Sequence, residues 1–168
     1  MDKHIFLIGM MGCGKSTIAK LLAAKLSCPA LDLDEDIAAF EGRSIPDIFS
    51  VAGDAGFRLC ETAALRRACS LPPCVIATGG GIVTREENIT LMRENGLVVW
   101  LNRPIEQILL TVRQDTRPNL AGNKEERMRT LFAEREALYR KAAHVEFDNS
   151  TPLKESATAL AALIKGRA

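Results

Sequence analysis

The chain has 168 residues, and at roughly 150 residues per domain this length predicts a single domain over residues 1–168. Its residues are 47% hydrophobic and 26% charged, a composition that excludes a disordered or fibrous protein. Lysine and arginine (22) almost balance aspartate and glutamate (21), and the net charge of +1 gives no electrostatic reason to expect a nucleic acid or a membrane surface as partner.

Short apolar runs alternate with longer helical patterns along the chain. Strands are predicted at residues 5–8, 30–34, 74–78, 97–101 and 145–148, because these runs are short and suited to a buried sheet. A helical stripe of apolar residues over 15–26 follows the first strand. This alternation predicts an α/β fold with a five-stranded parallel sheet flanked by helices.

Capping residues and prolines predict several helix ends. Thr84 and Glu87 have the spacing of a capping box, and Gly96 is expected to end the same helix. Pro104 and Pro152 are expected at the starts of two later helices, where a missing N–H is tolerated. A further helix is predicted from about Arg127.

Two stretches interrupt the alternation. Residues 35–70 contain two or three helical pieces with no strand between them, and residues 113–126 are polar. A polar segment of that length inside a compact domain is typical of a lid. We therefore expect the chemistry to lie near these two stretches.

The strongest motif is GMMGCGKS at residues 9–16, which fits the phosphate-loop pattern G-x-x-x-x-G-K-[ST] between a strand and a helix. Its glycines allow backbone N–H groups to surround phosphate oxygens at a helix N-terminus. Lys15 is expected to neutralise the β- and γ-phosphates of a nucleotide, and the Ser16 hydroxyl is expected to bind Mg²⁺. The motif indicates a nucleotide but does not identify a reaction.

Asp32 and Asp34 stand at the end of the predicted second strand. Period-two geometry would point both carboxylates to one side, beyond the edge where ligands bind in open parallel sheets. One can hold the hydration shell of Mg²⁺ and the other can accept a proton from a substrate hydroxyl. A solvated helix cap is the alternative explanation.

Two arginines stand at positions where a positive charge is energetically costly unless an anion lies nearby. Arg135 lies on the apolar stripe of its helix, where it must snorkel, pair with a carboxylate or face a cavity that binds an anion. Arg58 is predicted at a helix start, where its charge opposes the helix dipole unless a bound anion offsets it. A solvated side chain is the alternative at both positions.

Three glycines and a further arginine complete the candidates. Gly79, Gly80 and Gly81 follow the predicted third strand and either allow backbone N–H groups close to a ligand or form a plain loop. Arg117 lies in the polar segment and is expected to swing onto the phosphates.

The cysteines predict reduced thiols. There are five of them, an odd number with no C-x-x-C pair, so we expect neither a disulfide framework nor a zinc site. No signal-type segment and no apolar stretch near ~18 residues is recognisable, which predicts a soluble, cytoplasmic protein. Cys13 stands inside the phosphate loop as either a packed or a reactive thiol.

Taken together, these residues resemble the shikimate kinase family of P-loop small-molecule kinases. The matching segments run in order along nearly the whole chain: GMMGCGKST (9–17), DLDEDI (32–37), GRSIPDIF (42–49), GFR (56–58), ATGGG (77–81), RP (117–118) and RxxxY (135–139). The resemblance implies a three-layer P-loop fold with a helical substrate-binding insertion at about 35–70 and a lid at about 113–126. It also implies ATP-dependent phosphorylation of shikimate to shikimate 3-phosphate by a monomer.

The resemblance also implies roles by position. For ATP these are Gly12, Cys13, Gly14, Lys15, Ser16, Thr17, Arg117 and Pro152. For shikimate they are Asp34, Arg58, Gly79, Gly80, Gly81 and Arg135. Mg²⁺ would be held by Ser16 and Asp32. Lys15, Asp34 and Arg117 would be catalytic, with Asp34 helping to deprotonate the hydroxyl that is phosphorylated.

Two positions depart from the family's pattern, in which a leucine and a proline are usual. Asn119 and Ala137 stand there in this chain, and both bear on lid packing and substrate choice. A gluconate-type or nucleoside monophosphate kinase is an alternative, but it leaves Arg58, Arg135 and Asp34 unexplained. A nucleotide-dependent switch is a further alternative, although no Asp-x-x-Gly follows the predicted third strand.

Overall fold

A computed structural model describes residues 2–114 and 121–167 of the chain. In these ranges, five strands form one sheet in the order β2-β3-β1-β4-β5. They are β1 (His4–Ile8), β2 (Ala30–Asp32), β3 (Val75–Ala77), β4 (Gly96–Asn102) and β5 (Val145–Asp148). Neighbouring strands all pair in parallel. The predicted α/β fold with a five-stranded parallel sheet is confirmed.

Helices connect the strands. They are α1 (Lys15–Leu26), α2 (Leu33–Glu41), α3 (Ile45–Cys69), α4 (Glu86–Asn95), α5 (Ile105–Gln114), α6 (Ala121–Ala142) and α7 (Leu153–Lys165), with a 3₁₀ helix at Ile82–Thr84. Of the helices in the described ranges, none combines the length and the hydropathy that a bilayer crossing requires.

The central strand β1 supplies side chains to two separate cores. Ile5 and Leu7 pack with apolar residues of α1, α5 and α7, whereas Phe6 and Ile8 pack with those of α2, α3 and α4. Every residue of β1 is buried, which explains its continuous apolar run. Because the strands are parallel, their carboxyl ends share one edge of the sheet, and the connections after β1, β2 and β3 leave from that edge.

The second strand is shorter than predicted. It ends at Asp32 and not at residue 34, because the Asp32 side chain accepts hydrogen bonds from the N–H groups of Asp34 (3.0 Å) and Glu35 (3.4 Å) and caps α2. Asp34 therefore lies in the first turn of a helix. The expected period-two pairing of the two carboxylates on a strand was wrong.

The capping box predicted at Thr84 was also wrong. Thr84 closes the 3₁₀ helix by donating from its hydroxyl to the Gly81 carbonyl (2.7 Å), and α4 begins only after Arg85. Glu87 instead pairs with Arg66 and Arg85. The predicted end of α4 before Gly96 is confirmed.

The two interrupting stretches have different outcomes. Residues 35–70 are helical with no strand, as predicted, and α3 breaks at Gly53, whose φ of 66° departs from the helix. Part of the polar stretch at 113–126 is helical, since α5 continues to Gln114 and α6 begins at Ala121, ahead of the predicted Arg127. Residues 115–120 lie outside the described ranges. The lid at 113–126 stays a prediction.

Gly96 is required by the close approach of β4 to β1. It pairs with His4, and a Cβ on Gly96 would overlap the His4 carbonyl and lie 2.9 Å from Cε2 of Phe6. We expect Gly96→Ala to lower the free energy of unfolding by about 1–3 kcal/mol, as overpacking does. Gly166→Ala is the control, because its nearest contact would be 3.5 Å away. Urea unfolding that gave both variants the same stability would contradict this packing.

His144 makes part of the stability dependent on pH. Its Nδ1 accepts a hydrogen bond from the Val98 N–H (3.1 Å), and burial with the charges of Arg93 and Lys3 lowers its pKa. The unfolded chain therefore binds this proton more readily, and stability should fall as pH drops from about 6.5 through the lowered pKa. His144→Asn, which keeps an acceptor but does not titrate, should lose less stability between pH 7.5 and 5.5 in urea unfolding. An identical loss in both proteins would argue against the mechanism.

Candidate active site

The connection from β1 to α1 is shaped by its glycines. Gly12 and Gly14 adopt φ values of 79° and 95°, which other residues rarely take. A Cβ on Gly14 would lie only 2.6 Å from Cδ2 of Leu153, so the start of α7 packs directly on this turn. The turn leads into the N-terminus of α1, where backbone N–H groups favour a ligand of negative charge.

Lys15 lies buried within this loop. Its Nζ donates hydrogen bonds to the carbonyls of Gly9 (2.8 Å) and Met10 (2.9 Å). Ser16 and Thr17 are exposed at the start of α1. An ammonium group, hydroxyl groups and backbone N–H groups thus converge in the arrangement that phosphate binding requires.

A cavity of about 390 Å³ adjoins the loop. It brings together these predicted residues: Gly12, Gly14, Lys15, Ser16, Thr17, Asp32, Asp34 and Gly80. Arg103, Thr111 and Leu153 also line it and were not predicted from the sequence. Cys13 is buried behind the loop, with its Sγ 3.9 Å from Nζ of Lys15, and Pro152 directly precedes α7.

A buried ion pair that sequence analysis missed stands beside this cavity. Glu61 has no exposure to solvent, and its Oε2 accepts a hydrogen bond from Nη1 of Arg58 at 2.6 Å. The pKa of Glu61 is raised overall, because the effect of burial is larger than the opposing effect of the Arg58 charge. The signal was present in the sequence, because residues three apart share one face of a helix.

Arg58 stands near the start of the second helical piece of α3, close to where the sequence predicted a helix start. It lies inside α3, beyond the break at Gly53. Its charge is compensated by Glu61 and, at 3.4 Å, by Asp54. A Cβ on Gly81 would come within 2.5 Å of Nη2 of Arg58, so this glycine allows the guanidinium to lie against the loop after β3.

Asp34 is held between cationic groups. The pKa of Asp34 is raised overall, mainly by burial and also by the charge of Asp32. The charges of Lys15 and Arg58 oppose this shift. Oδ1 of Asp34 is buried and has no hydrogen-bond partner within residues 2–114 and 121–167. Gly79 permits this approach, because a Cβ there would lie 3.1 Å from Oδ1 of Asp34.

Arg135 turns a buried nitrogen toward the same region. Its Nη1 is shielded from solvent and without a hydrogen-bond partner in the described part of the chain. One turn later on α6, the Tyr139 hydroxyl donates to the Gly80 carbonyl at 2.5 Å. Arg135 also interacts electrostatically with Glu61. Of the three options for Arg135, the buried Nη1 favours a cavity-facing side chain over snorkelling.

Unsatisfied buried atoms of both signs therefore surround the glycine loop. They are Oδ1 of Asp34, Oε1 of Glu61 and Nη1 of Arg135. Groups of this kind are costly to bury without partners, and an anionic, hydroxylated ligand would satisfy them. Arg117, the remaining predicted site residue, lies outside the described residues, as does Asn119. Helix α6 runs without a break through Ala137, the other departure.

Comparison with known proteins gives a consistent result. A family model described as "SKI: Shikimate kinase" matches residues 11–165. A curated shikimate kinase of Chromohalobacter salexigens is 51% identical over 141 residues, which cover 83% of this chain and 78% of that protein.

Solved structures agree with the sequence comparison. The shikimate kinase from Acinetobacter baumannii in complex with shikimate superposes with a TM-score of 0.90 at 36% identity, covering 98% of this chain and 94% of that one. A gluconokinase from Sinorhizobium meliloti reaches a TM-score of 0.59 at 17% identity, with 99% and 95% of the two chains covered. The second similarity extends to the fold alone.

Breaking the buried pair tests how far it supports the fold. Glu61→Gln keeps the shape but leaves Arg58 without its closest charge partner, and we expect a loss of about 2–3 kcal/mol in unfolding free energy. The control is Glu87→Gln, which removes an exposed partner of Arg66 and should cost less than about 1 kcal/mol. Urea unfolding at neutral pH measures both losses. Equal losses would show that burial adds nothing to the Arg58–Glu61 pair.

Proposed function

Because the chain belongs to the shikimate kinase family, we propose that it transfers the γ-phosphoryl group of ATP to a hydroxyl of shikimate, forming shikimate 3-phosphate. The observation that carries this proposal is the adjacency of two chemistries in one site. Asp34 lines the cavity beside Lys15 and the phosphate loop, and the charges of both Lys15 and Arg58 act on its carboxylate.

The loop of residues 12–17 binds the ATP phosphates. Lys15 exchanges its contacts with the carbonyls of Gly9 and Met10 for phosphate oxygens, since an ammonium hydrogen-bonds more strongly to charged acceptors. Its charge is then close to the oxygens on which negative charge develops during transfer. The pre-formed loop supplies positioning as well as charge.

Asp34 is the group that accepts the proton of the attacking hydroxyl. The Asp34 side chain is partly buried, and its Oδ1 has no partner among the residues that the structure describes, which suits an atom that hydrogen-bonds to substrate. Burial and the charge of Asp32 raise its pKa and so its basicity, while the charges of Lys15 and Arg58 oppose that shift. In this role Asp34 orients the hydroxyl toward the γ-phosphorus, so that most of the acceleration comes from alignment.

Arg58 and Arg135 bind the substrate carboxylate. A guanidinium group matches a carboxylate in a two-pronged geometry, and Nη1 of Arg135 is buried with no partner in the described residues. Glu61 holds Arg58 in position from behind. Backbone groups of Gly79, Gly80 and Gly81 contact the ring hydroxyls. Gluconate also carries a carboxylate, so a direct comparison of the two substrates distinguishes a shikimate kinase from a gluconate kinase.

Ser16 and Asp32 would hold Mg²⁺. Both line the cavity beside Lys15, and Mg²⁺ is typically bound by one or two protein oxygens together with phosphates and water. In the described residues no three His, Cys, Asp or Glu side chains converge as a metal cage. The donor set therefore fits a metal that arrives with the nucleotide. When bound, the ion neutralises charge on the β- and γ-phosphates.

Further proposals follow from the family. Arg117 closes over the phosphates from a lid at about 113–126, and Pro152 contacts the adenine. The chain acts as one monomeric domain with a substrate-binding insertion at about 35–70. It works in the cytoplasm, where its free cysteines would stay reduced.

A substrate panel tests the proposed activity. ADP release is measured with Mg-ATP and each of shikimate, gluconate and nucleoside monophosphates. We expect turnover with shikimate to exceed turnover with every other acceptor, because the family model and the curated relative that match most of this chain are those of shikimate kinases. Turnover that is independent of shikimate, or faster with gluconate, would contradict the proposal.

Arg135→Ala tests the carboxylate clamp. Loss of one prong should raise KM for shikimate by roughly 30-fold or more, as expected for a charge-assisted hydrogen bond, while KM for ATP changes little. The matched control is Arg140→Ala on the same helix, whose exposed guanidinium pairs with Glu136 and Glu146. Equal loss for both substrates in Arg135→Ala would indicate a structural role.

A further inference from the structure

Asn149 directly follows β5 and lies behind the phosphate loop. It is fully buried, and its Nδ2 donates to the carbonyl of Cys13 at 2.7 Å. Its Oδ1 is also buried and finds no hydrogen-bond partner in the part of the chain described. A buried amide with an unsatisfied oxygen is costly, so the contact to Cys13 is the one that accounts for an asparagine here.

The backbone of Asn149 is fixed from the neighbouring strand. Its N–H donates to the Asn102 carbonyl at 3.0 Å, and its carbonyl accepts from Nη1 of Arg103, also at 3.0 Å. Both partners lie at the carboxyl end of β4 or directly beyond it. The side chain therefore extends to the phosphate loop from an anchored position on the sheet.

The Cys13 carbonyl matters because of the peptide that follows it. In a planar trans peptide the C=O and the next N–H point in opposite directions. Holding the Cys13 carbonyl toward Asn149 therefore turns the Gly14 N–H the other way, and Gly14 lines the cavity. Glycines at 12 and 14 give this peptide freedom to rotate, so a specific contact is needed to keep one orientation.

We propose that Asn149 is a positioning residue for nucleotide phosphates: by binding the Cys13 carbonyl it holds the Gly14 N–H toward the phosphate site. The inference rests on the proposed use of this loop for ATP. The β5–α7 connection would then act on the phosphates of the nucleotide as well as on its adenine base. Asn149 acts through the backbone and touches no reacting atom.

The proposal is tested by measuring the binding of two ligands to variants of two asparagines. Pyrophosphate probes the phosphate cradle alone, and ADP adds the nucleoside. Asn149→Ala should raise the dissociation constants of both by about tenfold, the effect of losing one oriented hydrogen bond. The control is Asn88→Ala, because Asn88 is equally buried and donates to the Ile82 carbonyl (3.0 Å). Its Oδ1 likewise has no partner in the described ranges of the chain. Asn88→Ala should leave both constants within about twofold.

A second variant covers the case in which Asn149→Ala fails to fold. Asn149→Asp keeps the shape, and the introduced carboxyl donates to the Cys13 carbonyl only when protonated. Its pyrophosphate dissociation constant, divided by that of the wild type at each pH, should fall as pH is lowered from 8 to 5.5. A ratio that stayed constant over this pH range would contradict a role for this hydrogen bond.

The outcomes separate this inference from the proposed function. Wild-type affinity in Asn149→Ala, a loss for ADP but not for pyrophosphate, equal losses in the Asn88 control, or a flat ratio for Asn149→Asp would each overturn the positioning role. Those results would leave the kinase proposal intact. A wild-type chain that bound neither ligand would instead overturn the nucleotide site, and this inference with it.

Discussion

The carboxylate of Glu61 is shut off from solvent and held 2.6 Å from the guanidinium of Arg58. Isolated buried charges are among the most costly groups in a protein, and a buried pair recovers that cost only when its remaining hydrogen-bonding positions are filled. Here Oε1 of Glu61, Oδ1 of Asp34 and Nη1 of Arg135 have no such partner in the residues described. The protein thus accepts a local cost that an anionic, hydroxylated substrate can offset.

The parallel sheet is what makes this arrangement accessible to a nucleotide. The loop after β1 carries Lys15, the cap after β2 carries Asp32, and the glycines after β3 lie against Arg58. All three connections leave the same edge of the sheet, and we propose that phosphate groups and substrate meet there, at Asp34. The β5–α7 connection closes this edge from behind through Asn149.

The pattern of apolar residues in the sequence was sufficient to predict the sheet, because β1 is buried on both faces and α1 carries a regular apolar stripe. The motif was sufficient to predict the loop around Lys15, because the glycines that suit such a loop to phosphate are visible in the sequence. Asp34 was misassigned to a strand because an aspartate cap at position 32 overrides the pattern of alternation. Glu61 and Asn149 were missed because long-range packing alone reveals that they are buried. Spacing could have linked Glu61 to Arg58, but no local signal linked Asn149 to Cys13.

We propose that the partly buried Arg58 and Arg135 recognise a carboxylate on the substrate. Calorimetric titration with shikimate and with its methyl ester, at the same pH and without nucleotide, isolates that contact because the two ligands differ only in charge and one methyl group. The account predicts that the ester binds at least about 30-fold more weakly, as expected when a charge-assisted pair is lost. Equal affinity for the acid and the ester would contradict it.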